Sequence, residues 1–207
     1  SAMYRFMAPH TPNEPDHLLY QMGLNQFDPA PTYVRKHVMD LYDKQADLRY
    51  LLCYGGVPPY PESEKGAEPF MNSYIAWNPG GMKLSEVYLM IAECYARQNN
   101  AGKAMEYLNL LREKRTLKAK YEEWTTEDAK VAFKWIREER KRELVLTCNG
   151  FFDMRRYAKQ LNETWTKEYT TIGGEVKNYT LSPDSPLMIY PFPQNATETA
   201  DLIQNTK

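Results

Sequence analysis

Proline is missing from residues 80–182; all 14 prolines fall at positions 9–79 or 183–193. Glycine is almost missing there too, with only Gly102 between Gly81 and Gly150. A stretch without these breakers reads as helical, and its flanks read as loop-rich. Cysteine is scarce: Cys53, Cys94 and Cys148 are odd in number, far apart and without C-x-x-C spacing. That excludes a disulfide framework and a cysteine zinc site, and leaves small buried hydrophobes. No excess of one charge exists, since 26 Lys and Arg meet 27 Asp and Glu for a net charge of −1. A broad electrostatic attraction to nucleic acid or anionic lipid is thereby excluded. No run approaches 18 apolar residues, so no segment reads as a membrane span.

The chemical motifs are equally thin. His10, His17 and His37 form no close ligand pair, and there is no H-E-x-x-H, G-x-S-x-G, P-loop or G-x-G-x-x-G. The sequence therefore nominates no catalytic residue, metal site or cofactor. What it does hold is tyrosine: 16 Tyr and 4 Trp against 7 Phe. Rings with a flat apolar face and a polar tip suit half-wet surfaces as well as core and rim packing.

The 207 residues allow one large domain or two small ones and can bury roughly 70% of the unfolded surface. Ser1-Ala2 ahead of Met3 reads as a tag-cleavage scar. Within 3–83 the prolines leave irregular chain, except for a helix capped by Thr32 and running to about Leu52, followed by a long loop over 53–83. Residues 84–161 form a helical core. Leu84, Val87, Tyr88, Ile91, Ala92 and Tyr95 repeat at helical spacing up to about Arg97. After the turn at Asn99–Gly102, Ala104, Tyr107, Leu108 and Leu111 share one face of a second helix. A third begins at Thr125, where Thr125-x-x-Asp128 resembles a capping box, and runs to about Thr147, with Asn149-Gly150 supplying a left-handed stop. A fourth covers about Phe151–Leu161, and 162–207 reads as turn-rich.

The first helix pair fits a tetratricopeptide pattern through Tyr88, Ile91, Ala92, Tyr95, Ala104 and Leu108, although Leu108 replaces an aromatic ring and Thr116 the terminal proline. Any antiparallel helix hairpin is the plainer alternative. A single repeat cannot bury its own apolar face, so it needs neighbours.

Residues 134–143 carry eight charges, five basic and three acidic, which reads mainly as a solvated, self-paired face with Glu138–Arg142 in the favourable i,i+4 order. The apolar stripe Phe133–Ile136 continues onto Arg140 and Glu143, however, so these two read as an inward structural ion pair. Asp153 and Arg156 form a similar i,i+3 pair. Paired carboxylates can do acid–base work, but no nucleophile, histidine or metal motif accompanies these.

Several of these segments, in order, resemble the C-terminal part of a SusD/RagB-family protein. They are Asp47-Leu48-Arg49, Leu84–Glu93, Leu108-Asn109-x-x-Arg112, Glu139-Arg140-x-x-Glu143-Leu144, Asn149–Arg156, Tyr190-Pro191-Phe192-Pro193 and Gln204-Asn205. The resemblance implies a mainly α, SusD-like fold with a tetratricopeptide-type helix pair and long loop-rich segments. It also implies a non-catalytic outer-membrane lipoprotein at the cell surface that captures a glycan and partners a SusC-like TonB-dependent transporter. The N-terminal half, with its lipid anchor and earlier repeats, would then precede this stretch. No nucleic-acid partner is expected, and no membrane contact beyond that anchor. Sugar rings would lie on exposed aromatics of the 53–83 loop, for which Trp77, Tyr74 and Tyr60 are the candidates, with anchoring of the loop itself as their alternative role. Capture of peptides by the same receptor role, or service as a protein-binding helical scaffold, are the rival functions.

Overall fold

The computed structural model describes residues 36–51, 82–145, 147, 149–170, 176–189, 192, 196 and 197. The chain divides into two units, Ser1–Thr147 and Cys148–Lys207. The described part is mainly helical. No helix among the described residues is long and apolar enough to cross a membrane.

In the first unit, helix α1 covers Lys36–Met39, α2 Leu84–Arg97, α3 Ala101–Arg115 and α4 Ala129–Glu143, with a 3-10 turn at Lys118–Lys120. The apolar periodicity of α2 places Leu89, Ala92 and Ala96 inward. Glu86 in its first turn and Arg97 in its last both complement the helix dipole. Asn99 then adopts a left-handed φ of 59°, which asparagine tolerates well, and the chain reverses. Asn100 caps α3 by accepting the Lys103 N–H at 3.1 Å.

The second and third helices pack as a hairpin, and α4 lies against both. Their shared core is Leu89, Ala92, Ala96, Ala101, Ala104, Met105, Leu108, Leu111, Ala129, Ala132 and Ile136. Six of these eleven are alanine, which lets the backbones approach closely while Leu89, Leu108 and Ile136 fill the remaining space. Each such large side chain contributes about 1.5–3 kcal/mol on burial. The rings of Tyr95 and Tyr107 stack at the hairpin's edge with centroids 5.8 Å apart.

Three helix boundaries differ from the sequence expectation. The helix predicted from Thr32 to about Leu52 is interrupted: it stops at Met39, turns occupy 40–46, and helical chain resumes over 48–51. Asp43 Oδ1 accepts the Gln45 N–H at 2.8 Å, and Asp47 forms a β-bridge with Thr116, next to a Leu117 N–H bond to the Ala46 carbonyl at 2.8 Å. The Ala46 carbonyl spent on the Leu117 bond is unavailable to a helix, while the Asp47 N–H and carbonyl still bond Asp43 and Leu51 at helical spacing; Thr32 and Leu52 lie outside the described residues. Helix α4 starts later than Thr125, because Asp128 is itself the cap, accepting the Lys130 N–H at 2.8 Å. It ends at Glu143, not Thr147.

The second unit opens with α5, Asn149–Leu161. Asn149-Gly150 starts this helix instead of stopping the previous one. Among the described non-glycine residues of this unit, Asn162 is left-handed, at φ 55° just beyond the end of α5. The turn-rich expectation for 162–207 also needs correction. Strands β1 (Trp165–Thr170) and β2 (Val176–Leu181) pair antiparallel, Trp165 opposite Leu181 and Thr170 opposite Val176. A 3-10 turn at Pro186–Met188 follows, capped by Ser185.

Candidate functional site

The three loop aromatics proposed from sequence, Trp77, Tyr74 and Tyr60, lie outside the described residues. The strongest concentration of polar chemistry among the described residues is elsewhere. It lies where residues 41–49 meet α3, α4 and the 116–124 connection.

Arg49 is the hub. Its Nε and Nη2 bond both oxygens of Asp47, at 3.0 and 2.7 Å. Its Nη1 lies 2.7 Å from Glu143 Oε2 and 2.7 Å from Glu139 Oε1. Arg115 closes the far side of Glu143 through Nη2 at 2.8 Å and Nε at 3.0 Å. Arg142 takes the second oxygen of Glu139 at 2.6 Å and donates to the Leu41 carbonyl at 2.9 Å. The Tyr42 hydroxyl donates back to the Arg142 carbonyl at 2.7 Å. Segment 41–49 is thus fixed to α4 by charge-assisted bonds at both ends.

Burial would raise the pKa of Glu143, but Arg115 and Arg49 outweigh it and hold the carboxyl well below the usual carboxylate range. Glu139 behaves alike: burial pushes it up, Arg49 and Arg142 pull it further down. Burial disfavours the Arg49 cation as well, yet Glu139, Asp47 and Glu143 raise it well above its ordinary value. All three groups stay ionised at neutral pH.

This geometry changes the reading of the charged run. Arg140 and Glu143 both point inward, but the guanidinium groups bonded to Glu143 are those of Arg49 and Arg115, not Arg140. Glu139 and Arg142 are also buried, so half of the supposed solvated face is interior. Arg142 pairs with Glu139 and not with Glu138, whose partner is Lys134 at 4.0 Å. In the second unit, Arg156 Nη2 lies 2.9 Å from Asp153 Oδ1, and its guanidinium sits 4.3 Å over the Tyr157 ring.

Beside the network is a cleft of about 200 Å³, lined among others by Asp47, Arg49, Arg112, Lys120, Trp124, Glu139 and Arg142. Asn109 builds its wall. Its Nδ2 donates to the Trp124 carbonyl at 2.7 Å, while its Oδ1 accepts from Trp124 N at 3.1 Å and Arg112 Nη1 at 2.9 Å. The Arg112 guanidinium lies 3.4 Å over the Trp124 ring. Burial lowers the Arg112 pKa; Glu139 opposes that shift, and Arg142 and Arg49 add to it. Fixed donors, acceptors and an aromatic wall can hold a polar ligand by hydrogen bonds. The described residues contain no group of three or more His, Cys, Asp or Glu placed to hold a metal.

Asp47-Leu48-Arg49, Asn109-x-x-Arg112 and Glu139–Leu144 stand apart in the sequence as separate family-like elements. The structure joins them into this single cluster. A family model described as the SusD family matches residues 72–206, more than half of the chain. The chain belongs to the SusD family. No curated protein matches it. SusD-family proteins are nutrient-binding proteins associated with the outer-membrane surface and generally non-catalytic. In this SusD-family chain, Arg49 lies ahead of the matched region and yet supplies the cation that joins Glu139 to Glu143 within it. Its role was invisible in local spacing, because those partners lie about 90 residues away.

Proposed function

We propose that this chain is part of a non-catalytic cell-surface receptor that captures an oligo- or polysaccharide and hands it to a SusC-like TonB-dependent transporter. The observation that carries the reading is the SusD-family match over residues 72–206. The lipid anchor would belong to an N-terminal portion ahead of residue 1. Trp77, Tyr74 and Tyr60 are assigned the stacking role, because pyranose rings present apolar faces to amphipathic aromatics held on loops.

The test is retardation of the protein in gels containing a panel of soluble polysaccharides, with Trp77→Ala beside the parent. Retardation by one polysaccharide that Trp77→Ala abolishes supports both the role and the residue. Retardation unchanged in Trp77→Ala removes that residue from the site. A protein that runs unretarded through every gel counts against glycan capture.

A further inference from the structure

We propose that the cleft beside α4 is a subsite for an anionic substituent of the captured sugar, a carboxylate or a sulfate ester, seated between the Arg112 guanidinium and the Lys120 ammonium. The proposal rests on the receptor reading above and adds the class of ligand.

Arg112 carries the argument. It is only 8% exposed. Every other guanidinium lining the cleft has a carboxylate: Arg49 holds Asp47, Glu139 and Glu143, and Arg142 holds Glu139. Arg112 forms no ion pair with a described residue. It donates through Nη1 alone, to the neutral oxygens of Asn109 at 2.9 Å and the Glu122 backbone at 3.1 Å. Its Nε and Nη2 edge donates to no described residue, although that edge is the fork suited to a bidentate carboxylate or sulfate. Burying this cation is costly; Glu139 attracts it without bonding it, and the Trp124 face beneath it offsets a further part of that cost.

The charged residues lining the cleft balance, Arg49, Arg112, Lys120 and Arg142 against Asp43, Asp47, Glu122 and Glu139, but Arg49 and Arg142 are the cations that hold the buried carboxylates. Lys120 stands exposed at the same cleft. Its ammonium also meets only neutral oxygens, the Gln45 carbonyl at 3.2 Å and Gln45 Oε1 at 3.4 Å. The carboxylates of Asp43 and Glu122 are exposed, where water screens them as it screens Lys120. The cleft volume of about 200 Å³ leaves room for a charged substituent and part of the ring that bears it.

The experiment is a titration of the 207-residue chain with trigalacturonate, galactose 6-sulfate, neutral galactotriose and inorganic sulfate, followed by calorimetry and by the Trp124 indole resonance. The expected result is that a sugar acid or sulfated sugar binds and moves the Trp124 signal, and that the neutral trisaccharide does not. Arg112→Lys then weakens binding about tenfold, and the exposed change Lys120→Gln, which does not threaten folding, weakens it several-fold. Failure of both charged sugars to bind, or unchanged affinity in Lys120→Gln and Arg112→Lys, overturns the proposal. Inorganic sulfate bound as tightly as the charged sugars overturns the assignment to a sugar-borne group. Neutral galactotriose bound equally by parent and variants overturns the subsite while leaving the receptor reading intact.

Discussion

Glu143→Gln changes one atom's chemistry at the centre of the charge network and should cost far more than its size implies. The carboxylate is 7% exposed and joins two guanidiniums, Arg49 at 2.7 Å and Arg115 at 2.8 Å. Removing one partner of a buried ion pair costs about 3–5 kcal/mol, because the other charge is left in a poor solvent. The lower end applies here. Arg49 keeps Asp47 and Glu139, and Arg115 is 22% exposed, so water relieves it. The expected loss is therefore about 3 kcal/mol, which in a unit of this size lowers Tm by about 6–12 °C. Asp153→Asn is the control. Its partner Arg156 is 33% exposed and three residues away on one helix, so the expected loss is under about 1 kcal/mol. Denaturant unfolding followed by far-ultraviolet circular dichroism measures both. Equal losses in the two variants, or less than about 1 kcal/mol for Glu143→Gln, would refute the view that this network holds segment 41–49 in place.

Three further outcomes follow from the same geometry. Glu139 and Glu143 have depressed folded pKa values, so the stability they contribute is present above the ordinary glutamate value near 4.5 and is lost as pH falls below it. A plot of unfolding free energy against pH should therefore fall below about pH 4.5, and Glu143→Gln should flatten that limb; an equally steep limb in the variant contradicts the assignment. Asn109→Ala strips the partners from Trp124 N and Trp124 O and one of the two acceptors from Arg112 Nη1, and should cost about 2–4 kcal/mol, with a changed near-ultraviolet signal from Trp124. Ala104→Leu forces a side chain into a fully buried contact between helices and should cost about 1–3 kcal/mol, whereas Gly102→Ala, where an added Cβ meets nothing within 4 Å, should be neutral or stabilising. Calorimetric melting of the two variants side by side checks the contrast.

The helical core was legible because its information is local. Leu84–Tyr95 carries one apolar stripe at one period, and the structure places α2 at Leu84–Arg97. The reversal at Asn99-Asn100 was legible for the same reason, since asparagine marks it directly, although Ala101 and Gly102 already belong to α3. What failed was punctuation with two meanings. Asn149-Gly150 can end a helix or begin one, and only tertiary context decides. The hairpin was faint in sequence: Trp165–Thr170 and Val176–Leu181 flank Gly173-Gly174, but both carry so many polar residues and so broken an alternation that the stretch read as loop. The charge network was half legible. The stripe through Phe133 and Ile136 showed that Glu143 faces inward, yet its partners come from positions 49 and 115, and no local spacing connects them. Arg112 beside Trp124 was quoted only as part of a motif; a buried cation's lack of a carboxylate is a three-dimensional property.

The most direct test of the receptor reading is the melting temperature of the protein against a panel of neutral and acidic oligosaccharides and a matched panel of peptides. The account predicts a saturable rise with one oligosaccharide, equal to about 2.7 kcal/mol of added stability at a hundredfold excess over Kd, and no rise with peptides. A rise with peptides and none with any oligosaccharide would contradict it.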